Sequence, residues 1–65
     1  MGNWHTIDFI WYWNGREWDY SYTIGMGDEK YKNELIKYAK KSFPSPNYEG
    51  KVGDQVSKFM YIWLD

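Results

Sequence analysis

The stretch Trp4–Ile24, WHTIDFIWYWNGREWDYSYTI, decides the fold. Two runs that alternate apolar and polar residues flank an Asn14-Gly15 pair. Asn-Gly is the strongest short-range signal for a two-residue type I′ hairpin turn, because both central residues must take positive φ. Such a turn sets Trp13 opposite Arg16. It then pairs Trp11 with Trp18, Phe9 with Tyr20, Ile7 with Tyr22 and His5 with Ile24, all on one side of the sheet. The other side pairs Tyr12 with Glu17, Ile10 with Asp19, Asp8 with Ser21 and Thr6 with Thr23. A slip of one residue in either strand would scatter the aromatics over both faces, so turn chemistry and hydrophobic pattern support each other.

Beyond Ile24, Gly25-Met26-Gly27 breaks the second strand, and Asp28 offers its carboxylate as the N-cap of a helix from about Glu29 to Ser42. Tyr31, Leu35, Tyr38, Ala39 and Ser42 fall at helical spacing, and Ile36 and Phe43 widen the stripe. Lys30, Asn33, Glu34, Lys37, Lys40 and Lys41 take the opposite side, with acid at the start and lysines at the end as the helix dipole favours. Pro44 stops the helix. Pro46, Gly50 and Gly53 keep residues 44–55 irregular, a long connection for so small a chain. The sequence closes with a strand over Val56–Leu64, whose Phe59–Leu64 run is apolar on both faces. That composition suits a strand covered on both sides, or one whose second face meets a partner.

The architecture that uses all of these elements is α+β: ββαβ, a three-stranded, mainly antiparallel sheet in the order 2-1-3 with the helix packed on one face. The helix covers the face carrying Ile7, Phe9, Trp11, Trp18, Tyr20 and Tyr22. A central first strand accounts for Trp4, Ile10 and Tyr12 on its second face, where the second strand is polar. One helix covers only one side. The second face is therefore half apolar, built from those three residues and one alternating set of the last strand, either Phe59, Tyr61 and Trp63 or Met60, Ile62 and Leu64. Exposed patches of that kind mark interfaces, so a homo-oligomer or another partner is expected there.

Sixty-five residues make one domain, near the size at which only about 60% of the unfolded surface can be buried. No cysteine is present, which removes a disulfide framework and a thiolate metal site. Fifteen aromatics, five of them Trp and seven Tyr, must supply the core. A net charge of −1 points to neither an acidic nucleic-acid mimic nor a strongly basic nucleic-acid binder. No charged segment leads into an apolar one at the start, and no apolar run approaches the roughly 18 residues of a membrane span. The expectation is a soluble protein of the cytoplasm.

The catalytic inventory is poor. His5 is the only histidine, there is no cysteine to pair with it, and the serines at 21, 42, 45 and 57 carry no nucleophile signature. Asp8 and Asp19 lie near-diagonal on the second face in this register, but two carboxylates without a third ligand read as a solvated surface rather than a metal or acid-base pair. The sequence reads as a non-enzyme with no metal and no cofactor. Gly25-Met26-Gly27 occupies the place of a phosphate-cradling loop, yet Asp28 and Glu29 at the helix start would repel an anion. Lys37, Lys40 and Lys41 give a modest basic stripe, a candidate nucleic-acid face.

The segment Tyr48-Glu49-Gly50-Lys51-Val52-Gly53-Asp54-Gln55-Val56-Ser57-Lys58-Phe59, with Trp63 after it, resembles the tyrosine-glycine stretch and Ile-Ser-Lys-Leu strand of small uncharacterised proteins of phages and mobile elements in Firmicutes. It spans about a fifth of the chain, and Val56 and Phe59 stand where the pattern prefers Ile and Leu. The resemblance implies a short accessory protein that binds something and alters its activity, as phage proteins do when they block host enzymes or immune systems. Three readings follow. One is a phage-type inhibitor or adaptor that binds a host protein through the open sheet face, with Trp4, Ile10 and Tyr12, or through the 44–55 loop. Another is a sponge that stacks a nucleotide messenger between Trp4, Tyr12, Tyr48 and Trp63, with Lys51 or Lys58 on its phosphates. The third is a single-stranded nucleic-acid binder that uses the lysine stripe.

Overall fold

The computed structural model describes residues 1–65. Strands β1 (Asn3–Trp13) and β2 (Trp18–Ile24) lead into helix α1 (Lys32–Ser42), which is preceded by a 3-10 turn over Glu29–Tyr31 and followed by strand β3 (Gln55–Leu64). β1 pairs antiparallel with both other strands, giving the sheet order β2-β1-β3. This is the α+β arrangement that the alternation of β1 on both of its faces demands.

The core is small and lies between the helix and one sheet face. Ile7, Phe9 and Trp11 of β1 meet Leu35 and Ala39 of α1 and Met60 and Leu64 of β3. Aromatic rings extend it toward β2: Phe9 stacks on Tyr20 at 5.4 Å between centroids, and Trp11 meets Phe9 edge-on at 5.2 Å. A buried indole needs an acceptor for its N–H. Trp11 Nε1 donates to the Phe43 carbonyl at 2.7 Å, which fastens the end of the helix to the central strand.

The hairpin differs from the two-residue turn expected of Asn14-Gly15. Trp13 pairs with Trp18, Trp11 with Tyr20, Phe9 with Tyr22 and Ile7 with Ile24, two residues out of the anticipated register. Four residues, Asn14 to Glu17, form the loop. Only Gly15 takes positive φ, at 100°. Asn14 instead folds its side chain into an Asx turn: Oδ1 accepts the N–H groups of Arg16 and Glu17, both at 2.9 Å, while the Asn14 N–H donates to the Glu17 carbonyl at 3.1 Å. A shift of two preserves the side of every residue, so the aromatic face survives intact. The gain is tertiary. Trp13 and Trp18 meet edge-to-face at 5.6 Å, Trp18 Nε1 donates to the Tyr48 carbonyl at 2.7 Å, and the Trp13 N–H donates to the Asp54 carbonyl at 3.0 Å. These contacts tie the long loop of residues 43–54 onto the hairpin tip. Gly50 permits the close approach, since a Cβ there would lie 2.8 Å from the Trp18 ring.

The helix also starts differently. Asp28 makes no side-chain cap; its Oδ1 accepts from His5 Nδ1 at 2.8 Å, and the first turn tightens to 3-10 before α1 begins at Lys32. The carboxylate thus joins β1 to the helix entry rather than satisfying the helix's own N–H groups. Of the apolar stripe, Leu35 and Ala39 are buried and Tyr31, Ile36 and Phe43 half-buried, whereas Tyr38 and Ser42 face outward.

Candidate functional site

The sheet face opposite the helix is uncovered, and the register of β3 fixes what it displays. Trp4 lies opposite Trp63, Thr6 opposite Tyr61, Asp8 opposite Phe59, Ile10 opposite Ser57 and Tyr12 opposite Gln55. Of the two sets anticipated for the last strand, the aromatic set Phe59, Tyr61 and Trp63 therefore points outward, and aliphatic Met60 and Leu64 fill the core. On the helix side, Met60 and Leu64 join Leu35 and Ala39 beside the Phe9 and Trp11 rings.

The outward face is graded. At the corner shared by β1 and β3, Trp4, Tyr61, Phe59 and Trp63 are 65, 67, 55 and 51% exposed. Trp4 and Trp63 meet edge-to-face at 5.3 Å, as do Phe59 and Tyr61. Trp4 and Tyr61 flank an apolar hollow. Along the same face toward the hairpin tip and β2, the residues become Ile10, Ser57, Gln55, Ser21, Thr23 and Asp19. Aromatics that large are normally withdrawn from water, so a fixed cluster of four on one flat surface is an unusual exposure. No lysine or arginine stands on this face, which carries Asp8 and Asp19.

The structure places the candidate residues in three groups. Trp4, Ile10, Tyr12 and Trp63 share the open face, with Tyr12 eight residues along β1 from Trp4, about 26 Å at strand rise. Tyr48 lies at the far end, its ring edge-on to Trp18 at 5.8 Å, in the 43–54 loop with Lys51. Lys51 is held in a turn, its N–H donating to Asp54 Oδ2 at 2.9 Å and its carbonyl accepting from the Asp54 N–H at 2.8 Å. Lys58, opposite Phe9, belongs to the helix-side face and not to the aromatic one. Trp4, Tyr12, Tyr48 and Trp63 consequently do not enclose a single small ligand; the one lysine near the aromatic corner is Lys58, which lines a recess at the β3 edge with Trp4, Phe59 and Tyr61.

Asp8 and Asp19 are not diagonal neighbours. The observed register moves Asp19 opposite Tyr12, four positions along β1 from Asp8. His5 is committed to Asp28, and its ring packs on Tyr31 at 4.7 Å. Of the lysine stripe, Lys37 and Lys41 are exposed, while the Lys40 ammonium sits over the Tyr20 ring at 4.0 Å instead of pointing freely outward. Phe59 and Tyr61, which the sequence offered with Trp63 as one of two alternative sets for this face, complete the aromatic corner. The signal that finds them is the division of β3 into an aliphatic and an aromatic set, combined with the pairing of Trp63 to Trp4.

A second recess lies between the hairpin tip and residues 45–49, lined by Arg16, Glu17, Ser45, Asn47 and the Trp13 and Trp18 rings; it is open and polar. No helix is long and apolar enough to cross a membrane. No protein-family model, curated protein or solved structure matches the chain.

Proposed function

We propose that this is a non-enzymatic accessory protein that binds another protein through the open aromatic face of its sheet and alters that protein's activity, the phage-type role that the resemblance of the Tyr48–Phe59 segment implies. The observation that carries this reading is the corner of Trp4, Phe59, Tyr61 and Trp63, all at least half exposed and pinned by strand pairing. Protein interfaces concentrate binding energy in rigid aromatic anchors bordered by polar residues. The grading from this corner to Ser57, Ser21 and Asp19 has that form.

A nucleotide or nucleic-acid ligand is less well supported. Phosphates require cations beside the stacking rings. Here the aromatic face carries two aspartates, and a single lysine, Lys58 at the β3 edge, borders its rings while the others lie elsewhere.

Affinity capture from a Firmicutes lysate, run in parallel with wild type, the Trp4→Ser, Ile10→Asp double variant and a Lys37→Gln, Lys41→Gln variant, tests the proposal. Circular dichroism confirms that each variant folds. The expected result is one or a few proteins retained by wild type and the lysine variant and lost from the open-face variant. Equal recovery by all three, or loss only from the lysine variant, overturns the reading.

A further inference from the structure

We propose that the outer edge of β3 pairs antiparallel with the same edge of a second copy of this chain, closing a six-stranded sheet across a two-fold axis. β3 has β1 on one side and nothing on the other. None of the six backbone hydrogen bonds made outside helices and strands uses a residue of β3, and no side chain bonds to its backbone. Its outward N–H and C=O groups are therefore open.

Sheet edges are ordinarily blunted by shortness, proline, bulges or charge. β3 runs ten residues without proline or glycine and carries one charge, Lys58. β2, the other edge, is seven residues long, and the Asp19 carboxylate takes up the Tyr20 N–H at 2.8 Å. Trp18 at its start is held by the 43–54 loop. β3 is thus the longer and less obstructed of the two edges.

The sequence of β3 is compatible with its own reverse. A register centred on Tyr61 sets Phe59 opposite Trp63 of the second copy on the open side, and Met60 opposite Ile62 of the second copy on the helix side. Both are apolar cross-strand pairs of the favourable kind. Lys58 falls opposite Leu64, six positions or about 20 Å from its counterpart, so like charges do not meet. Phe59, Tyr61 and Trp63, at 55, 67 and 51% exposed, bring roughly 700 Å² of aromatic surface to the seam from two copies, taking about 200 Å² per aromatic side chain. Side chains of an extended sheet meet only along the seam, so the pairing covers part of this surface and stays below the roughly 1,000 Å² of standard specific interfaces, which implies a weak, reversible, concentration-dependent dimer. Extension of the sheet places the two aromatic corners side by side and leaves Trp4 open, so the pairing enlarges the proposed recognition face without consuming it.

Sedimentation equilibrium between about 1 μM and about 1 mM is expected to show the 7.9 kDa mass doubling. The chain has no cysteine, so single introduced thiols report on the seam directly. Tyr61→Cys should cross-link to a dimer under mild oxidation, because the two-fold axis brings the two thiols together. Tyr12→Cys, on the central strand and away from the seam, should not cross-link under the same conditions. Tyr61→Arg should weaken the dimer at least about tenfold with an unchanged circular-dichroism spectrum, since two cations then meet on the axis. A monomer at the highest concentration overturns the proposal, including one whose edge takes up an unrelated extended peptide. A dimer in which Tyr12→Cys cross-links and Tyr61→Cys does not overturns it too, placing the second copy on the open face. Trp4 and Ile10 lie in β1, off this edge, so failure of the seam and failure of the recognition face are read from different variants.

Discussion

Trp11 shows how much one side chain carries in a core of seven residues. It fills the space between Phe9, Tyr20 and the helix end, and its N–H satisfies the Phe43 carbonyl. Trp11→Ala is expected to cost about 3–5 kcal/mol, enough to unfold a domain of this size, whereas Trp11→Phe should cost about 1–2 kcal/mol by losing the hydrogen bond and part of the ring. Urea unfolding of both variants separates the packing contribution from the bond. Asp28 and His5 make a second single-residue joint, since the carboxylate bonds to the imidazole and not to the helix N–H groups. Asp28→Ala and His5→Phe should therefore be non-additive, with a double-mutant coupling of about 1 kcal/mol. A coupling near zero would mean that Asp28 acts as an ordinary cap after all. Gly50→Ala should also destabilise the protein, because the new methyl would have to displace the Trp18 ring and the Cβ of Trp13.

At the scale of elements, the hairpin separates what local sequence determines from what packing decides. Strand parity was legible, because one buried face forces the odd residues of β1 and the even residues of β2 to the same side. Register was not: pairings two residues apart satisfy the same hydrophobic pattern, and only the turn distinguishes them. Asn14-Gly15 speaks locally for a tight turn, but the wider loop lets Trp13 and Trp18 meet where the 43–54 segment can bond to both. That segment is distant in sequence, so its vote was invisible. Ring-proton NOEs are expected between Trp13 and Trp18 and absent between Trp11 and Trp18. Gly15→Val should destabilise the hairpin by about 1–2 kcal/mol, since a β-branched residue resists the φ of 100° that Gly15 adopts. The sheet order was legible from the crossover connection and from the apolar residues on both faces of β1, and the two alternative faces of β3 from its alternation. Which set of β3 faces outward was not, because it depends on the β1–β3 register, pinned at its start by the Trp13 N–H to Asp54 carbonyl bond.

For the whole molecule, the sheet separates the main cluster of exposed aromatics from most of the cationic surface, with Tyr38 the one exposed ring among the lysines of α1. Lys37 and Lys41 lie on α1 on one side, Lys40 is spent on Tyr20, and the exposed corner of Trp4, Phe59, Tyr61 and Trp63 lies on the other side with Asp8 and Asp19. Single-stranded nucleic-acid binders interleave the two chemistries, so that each stacked base has a neutralised phosphate beside it. A protein that segregates them is expected to bind single-stranded DNA weakly, and titration of labelled oligonucleotide across a range of salt concentrations should show no steep loss of affinity with salt. Both surfaces also contribute to stability. Trp4→Ser removes an edge-to-face contact with Trp63 and should cost about 0.5–1.5 kcal/mol, and Lys40→Gln should cost about 0.5–1 kcal/mol because it lifts an ammonium off the Tyr20 ring. Tight oligonucleotide binding that falls steeply with salt, abolished by Lys37→Gln with Lys41→Gln and indifferent to Trp4→Ser, would move the functional surface from the sheet to the helix.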